Sequence, residues 1–220
     1  MKKVISFSLW GNNPKYTLGA IENVLLAKKY YHDWICRFYY SEDVPIEVLK
    51  ALEGLNVELI PRQSVTNSLG LFWRFEVAYD KDVDYFIVRD TDSRLNIRES
   101  VSVQEWLQSN KPLHIMRDHK YHNVPILGGM WGAKVGFISN FQKLQEDYVS
   151  NIKNNLNCFD QDQIFLRVAI LPHISINDIY CNDDVYKLFG IEKPFTKKLQ
   201  ESYFVGQTYN NNQQPVFNYD

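Results

Sequence analysis

Cysteine is scarce in this chain: the 220 residues hold three, Cys36, Cys158 and Cys181. An odd number without metal-type spacing argues against a disulfide framework and a zinc site, and points to a reducing compartment such as the cytoplasm. All three are expected to be small core residues. No apolar run approaches the roughly 20 residues of a membrane span, so any membrane contact is expected to be peripheral. An excess of charge of one sign is missing as well. Lys plus Arg number 24 against 26 Asp plus Glu, a net charge of −2, so there is no broad basic field to gather nucleic acid, and none is expected as a partner. Internal repeats are absent, and no pattern speaks to oligomeric state. Met1 to Trp10 has the charged-then-apolar order of a leader peptide. Its apolar run is short, however, and Gly11-Asn12-Asn13-Pro14 follows without a small-residue cleavage site, so it reads as a first strand.

Aromatic side chains are plentiful, 15% of the chain with 14 Tyr and 5 Trp; they serve either as core or as stacking surfaces. The length suits one domain over residues 1–220 with a full core. Strands are read at Val4–Leu9, Ile35–Tyr40, Val57–Ile60 (stopped by Pro61), Tyr85–Val88 and Leu113–Met116. Helices are read at Tyr16–Tyr31, Pro45–Gly54, Leu69–Tyr79, around Val103–Leu107, at Phe137–Lys153, and opening at Asp160. In the first of these, Leu18, Ile21, Leu25, Ala27 and Tyr31 recur at three- and four-residue steps and form the expected amphipathic stripe. Ile174–Ile176 looks strand-like, and the Asn/Gln run Asn210–Gln214 looks flexible. Alternating strands and helices imply an α/β fold, a single-domain, Rossmann-like α/β/α sandwich around a mostly parallel sheet. Ligands of such sheets sit outside the carboxyl ends of the strands.

Asp-x-Asp occurs at Asp80/Asp82, Asp82/Asp84, Asp90/Asp92 and Asp160/Asp162, so the spacing by itself says little. The first two lie in a turn, where Asp is a turn former. Asp90 and Asp92 differ because they close the apolar run Tyr85-Phe86-Ile87-Val88. If the strand's period of two persists, both carboxylates face one side and can share an oxygen-loving cation such as Mn²⁺ or Mg²⁺; a turn salt-bridged to Arg89 or Arg94 is the structural alternative. Asp160-Gln161-Asp162-Gln163 reads as a capping box, or as carboxylates aimed at a pocket where they accept from sugar hydroxyls.

In their order these residues resemble the GT-A-fold, nucleotide-sugar-dependent glycosyltransferases, particularly small bacterial or viral ones: an N-terminal strand and loop, Trp73-Arg74, Asp90-Thr91-Asp92, a Gly-Gly strand, and a later Asp-Gln-Asp helix start. The resemblance implies a UDP- or GDP-sugar donor, a glycan or other hydroxyl acceptor, and a place in polysaccharide biosynthesis. It implies that Asp90 and Asp92 hold Mn²⁺ or Mg²⁺ against the donor diphosphate. Phe7, Ser8, Leu9 and Trp10 match the segment that holds base and ribose, with Tyr16 as a stacking partner and Arg74 near the diphosphate or sugar. Asp118 matches an acidic contact to the donor sugar, Gly128 and Gly129 a close approach of backbone to ligand, and Trp131 an acceptor platform. Asp160 and Asp162 match the segment at the transferred or accepting sugar, one of them the base of an inverting reaction. Many relatives complete the metal shell with a C-terminal His. This chain has no His after His173, so Gln207 or water is expected there. The rival readings are a sugar-phosphate nucleotidyltransferase and a non-catalytic glycan-binding module.

Overall fold

The computed structural model describes residues 1–64, 67–152 and 160–217; Cys158 and the helix end expected at Lys153 fall outside them. Seven strands form one sheet in the order β3-β2-β1-β4-β6-β5-β7. They are β1 (Lys3–Leu9), β2 (Ile35–Ser41), β3 (Glu58–Arg62), β4 (Tyr85–Val88), β5 (Leu113–Arg117), β6 (Trp131–Lys134) and β7 (Ile179–Asp183). Only β6 runs antiparallel to its neighbours, β4 and β5. Helices α1 (Pro14–Tyr30), α2 (Ile46–Glu53) and α3 (Ile97–Gln108) cover one face. A 3₁₀ run (Asn67–Tyr79), α4 (Phe141–Ile152) and α5 (Gln161–Phe165) cover the other. The expected α/β/α sandwich is the observed architecture.

Strand alternation distributes the side chains between these layers. From β1, Ile5, Phe7 and Leu9 enter the α1 side, where Phe7 stacks on Phe38 with centroids 4.8 Å apart. The opposite parity places Ser6 and Ser8 against the 3₁₀ run: Ser6 Oγ donates to the Arg74 carbonyl at 2.6 Å, and Ser8 Oγ accepts from the Arg74 amide at 3.0 Å. A 13-residue 3₁₀ stretch is unusually long, and these two serines tether it where Arg74 leaves it.

Several expectations are corrected. Of the expected α1 stripe Ala27 and Tyr31 are buried, but Leu18 and Leu25 are exposed, and Ala20 and Val24 complete the buried face. The helix packs by its small residues because it lies close to the Asp90–Asp92 segment; a Cβ on Gly19 would overlap the Thr91 carbonyl. β3 continues through Pro61 to Arg62, since an edge strand tolerates a missing amide donor. α3 is longer than its apolar core, capped by Asn96, whose side chain accepts from the Glu99 amide at 3.1 Å. β7 escaped notice because Asn182 and Asp183 end it, and the Ile174–Ile176 segment leads instead into a 3₁₀ turn at Ile176–Asp178. Gly128 and Gly129 lie in a turn before β6, not within a strand. Asn210–Gln214 is a closed turn, with the Asn210 amide on the Gln214 carbonyl at 2.9 Å and Gln213 Nε2 on the Pro14 carbonyl at 2.9 Å. Cys36 and Cys181 are buried free thiols, as expected. Among the described residues no helix is long and apolar enough to cross a membrane.

His114 makes the core pH-sensitive. Its ring is fully buried, stacks on Trp106 with centroids 5.3 Å apart, and sets Nε2 3.0 Å from Asn182 Oδ1. Burial pushes its pKa from 6.5 down to about 3, so it is neutral when folded and takes up a proton on unfolding. Its contribution is fully present above the unfolded value of 6.5 and is lost as pH falls from there toward 3. Between about pH 7 and pH 5 this residue is expected to remove on the order of 2 kcal/mol of stability. Urea titrations at the two pH values check it: in His114→Gln that part of the loss should be gone.

Candidate active site

The strand order reverses between β1 and β4: β2 and β3 extend to one side of β1, β4 and the rest to the other. Beyond the carboxyl ends of β1 and β4 the flanking connections leave the sheet in opposite directions, which opens a crevice. Ser8 and Trp10 close β1 there, and Asp90-Thr91-Asp92 follow β4. These five residues line one cleft together with Tyr16, Leu71 and Arg74. A second recess, on the far side of Arg74 and Asp90, is lined by His122, Gly128, Gly129, Asp160 and Asp162 among others.

Arg74 is the centre. Its side chain is buried, with Nη1 on Asp90 Oδ1 and Nη2 2.7 Å from Asp162 Oδ2. Nη1 also donates to the Arg89 carbonyl at 3.3 Å. One guanidinium fork therefore ties the end of β4 to the start of α5, a role a lysine cannot fill. Burial disfavours the Arg74 charge, but the Asp90 and Asp162 carboxylates outweigh it and hold the pKa above its ordinary value. Burial pushes the Asp162 carboxyl up from 3.8, against the pull of Arg74. The turn at Gly128-Gly129 passes so close that a Cβ on Gly128 would overlap Asp162 Oδ2 and one on Gly129 would overlap Asp90 Oδ2.

Asp92 has a different cation. Lys15 Nζ lies 2.7 Å from Asp92 Oδ2. Lys15 sits in the first turn of α1, whose cap Asn13 accepts from the Lys15 amide at 2.9 Å and whose Pro14 presets the backbone. Burial, then the neighbouring Asp90 charge, raise the Asp92 carboxyl above 3.8. The two carboxylates thus feel one another while facing the same cleft.

The structure does not bring every candidate here. Phe7 and Leu9 are core residues on the α1 side of the sheet, because β1 has the parity that points them away. Asp118 is held by Arg98 Nη2 at 2.6 Å and by the Val205 amide at 2.8 Å, where it fastens the C-terminal tail. Trp131 is 1% exposed and packs edge-on against Phe75 and Phe86, so it offers no platform. Gln207 is buried, donates Nε2 to the Val216 carbonyl at 3.0 Å, and lines a separate cavity. Asp160 reaches the rim exposed, in a left-handed conformation with φ 65°, and makes no cap bond. The capping box does not form; Gln163 Nε2 reaches the Asp160 carboxylate at 2.9 Å instead. His122 is buried with Nδ1 accepting from the Asp118 amide at 3.0 Å.

The same fold occurs in solved structures. The galactosyltransferase LgtC, solved in complex with donor and acceptor sugar analogues, superposes over 83% of this chain and 73% of its own, with a TM-score of 0.53 and 13% identity. The fold is of the GT-A type. Core-mannan synthase A from Aspergillus fumigatus, in its Mn/GDP form, matches over 93% of this chain and 80% of its own, with a TM-score of 0.51 and 7% identity. A putative glucose-1-phosphate thymidylyltransferase from Bacillus anthracis gives 0.53 over 84% and 87%, with 11% identity. At such identities the likeness is one of fold. No protein-family model and no curated protein matches the sequence. Lys15 is the residue of this GT-A crevice that sequence reasoning missed. Its signal was a basic residue at the first turn of the helix after the first strand, hidden because its partner Asp92 lies 77 positions away.

Proposed function

We propose that this chain is a metal-dependent glycosyltransferase, moving a sugar from a UDP- or GDP-sugar to a hydroxyl of a glycan or other acceptor. The observation that carries the reading is the buried Arg74 fork joining Asp90 and Asp162 beside Asp92, at the switch point of a GT-A-type sheet. LgtC, a galactosyltransferase solved with donor and acceptor sugar analogues, and core-mannan synthase A, solved in an Mn/GDP form, support the reading through their shared fold.

The donor set fits a hard divalent cation. Asp90 Oδ1 and Asp92 Oδ2 are taken by Arg74 and Lys15, while the other oxygen of each carboxylate has no partner among the described residues. Among the described residues no third His, Cys, Asp or Glu completes a cluster, so the remaining ligands are donor oxygens and water, as Mg²⁺ and Mn²⁺ favour. Bound there, Mn²⁺ or Mg²⁺ supplies counter-charge to the departing nucleoside diphosphate. Trp10 and Tyr16, on the cleft wall, stack on the base. Lys15 and Arg74 hold these carboxylates in ion pairs and lend positive charge to the diphosphate. Asp162, with its raised pKa, takes the acceptor proton, and Asp160 at the rim accepts from acceptor hydroxyls.

The test is a panel of nucleotide sugars with and without Mn²⁺, read as thermal stabilisation and then as release of nucleoside diphosphate. A chain that is neither stabilised nor turns over any donor refutes the reading. Pyrophosphate formed from a nucleoside triphosphate and a sugar phosphate assigns nucleotidyl transfer instead. The base has its own signature. Transfer should fall on acidification through an apparent pKa above 3.8, since only the ionised carboxylate accepts a proton. Asp162→Asn should lose that limb while Asp160→Asn keeps it.

A further inference from the structure

The two cations at the cleft differ in how firmly they are held. Arg74 is fixed: its side chain is 4% exposed, its guanidinium spans Asp90 and Asp162, and Ser6 and Ser8 tether its backbone. Lys15 meets Asp92 Oδ2 at 2.7 Å, and its side chain is 27% exposed. A lysine carries a point charge on a flexible four-carbon stem, so it can change partners where a planar fork cannot.

The surroundings of the ammonium give that freedom a direction. Nζ lies against Asp92 and 5.2 Å from the centroid of the Tyr16 ring, and both residues line the cleft. The backbones on either side are held. Asn13 caps α1 at the Lys15 amide, Gln213 Nε2 donates to the Pro14 carbonyl at 2.9 Å, and the Tyr209 amide donates to the Asp92 carbonyl at 2.8 Å. A change of partner therefore falls to the lysine stem.

Charge sets what such a change would do. Asp90, Asp92 and Asp162 face Arg74 and Lys15, three negative charges against two positive. A divalent cation between Asp90 and Asp92 meets a carboxylate that is already paired, with an ammonium beside it. The Asp92 side chain is 13% exposed, so water screens that repulsion poorly. A diphosphate arriving without the cation meets three carboxylates. Each ligand by itself is opposed by charge that the other offsets.

We propose, resting on the metal-dependent reading of the cleft, that Lys15 is a displaceable counter-ion: it neutralises Asp92 until a divalent cation takes that carboxylate, then pairs with the diphosphate of the nucleotide. Lys15 thus opposes the cation alone and favours cation and nucleotide together, which makes the two bind cooperatively.

Mn²⁺ titrations of the full chain, with free Mn²⁺ read by EPR, test this without turnover. In the absence of nucleotide, Lys15→Met should bind Mn²⁺ roughly tenfold tighter than the wild type, since a competing charge-assisted contact is gone. Lys15→Gln keeps a hydrogen-bond donor for Asp92 and loses the charge. It should behave in the same way, and it remains informative if Lys15→Met does not fold. Lys15→Arg keeps the charge and should bind Mn²⁺ no tighter than the wild type. With UDP or GDP added, Mn²⁺ affinity should rise in the wild type and by a smaller factor in the neutral variants. Neutral variants that bind Mn²⁺ no tighter than the wild type, or that gain as much from nucleotide, overturn the proposal and leave Lys15 a structural partner of Asp92. If neither the wild type nor any variant binds Mn²⁺, with or without nucleotide, the metal reading of the cleft falls and the proposal with it, so the two failures are told apart.

Discussion

Arg74→Met is expected to lower folding stability by about 3–5 kcal/mol, the usual consequence of removing one partner from a buried ion pair. The guanidinium is 4% exposed and Asp162 only 5%, so no water replaces the lost charge around the Asp162 carboxylate. Burial already raises that carboxyl, and without Arg74 it ionises only at larger cost. The Gly128-Gly129 turn presses on both carboxylates and prevents them from swinging out. Urea unfolding of the wild type and the variant measures the loss. Adding Asp162→Asn to Arg74→Met should recover part of it, because the neutral amide carries no uncompensated charge. A deficit below about 1 kcal/mol, the value of an exposed pair, would show that Arg74 is not the buried bridge described.

Asp90→Ala is expected to do the opposite: large in activity, small in stability. The Asp90 side chain is 40% exposed, and Arg74 keeps Asp162 as its partner when Asp90 is gone. Folding should therefore change little. Transfer from whichever nucleotide sugar the panel identifies should fall by roughly 10²- to 10³-fold, the scale of losing one preorganised electrostatic group. The divalent-metal dependence should move to higher concentration, since one of two protein carboxylates is removed. Measuring kcat, KM and the metal titration together checks this. A variant with unchanged metal dependence and near wild-type turnover would leave Asp90 a structural partner of Arg74 and nothing more.

Much of the scaffold was legible because it is local. β1, β2, β4 and β5 each announce themselves as an apolar run, and the Asn13-Pro14 start of α1 obeys short-range hydrogen-bond rules. What local reading missed has a common cause. The exposed Leu18 and Leu25 on α1 show that close packing of small residues can outweigh the largest apolar stripe. β7 is half polar, since its Asp183 answers Arg117 across the sheet at 2.6 Å. Trp131 and Phe7 have the composition of ligand platforms and the parity of core residues.

The sequence by itself determined an alternating α/β chain, a carboxylate pair Asp90/Asp92 closing an apolar strand and a second pair Asp160/Asp162 at a helix start, because these follow from period and residue chemistry; Arg74 entered as a candidate only through the resemblance to GT-A-fold glycosyltransferases. Only the tertiary structure decided which charges meet. Lys15 and Asp92, Arg74 and Asp162, and Asp118 and the tail are paired across 77, 88 and 87 positions. Contacts of that span arise from sheet order and strand parity, which a one-dimensional pattern does not encode.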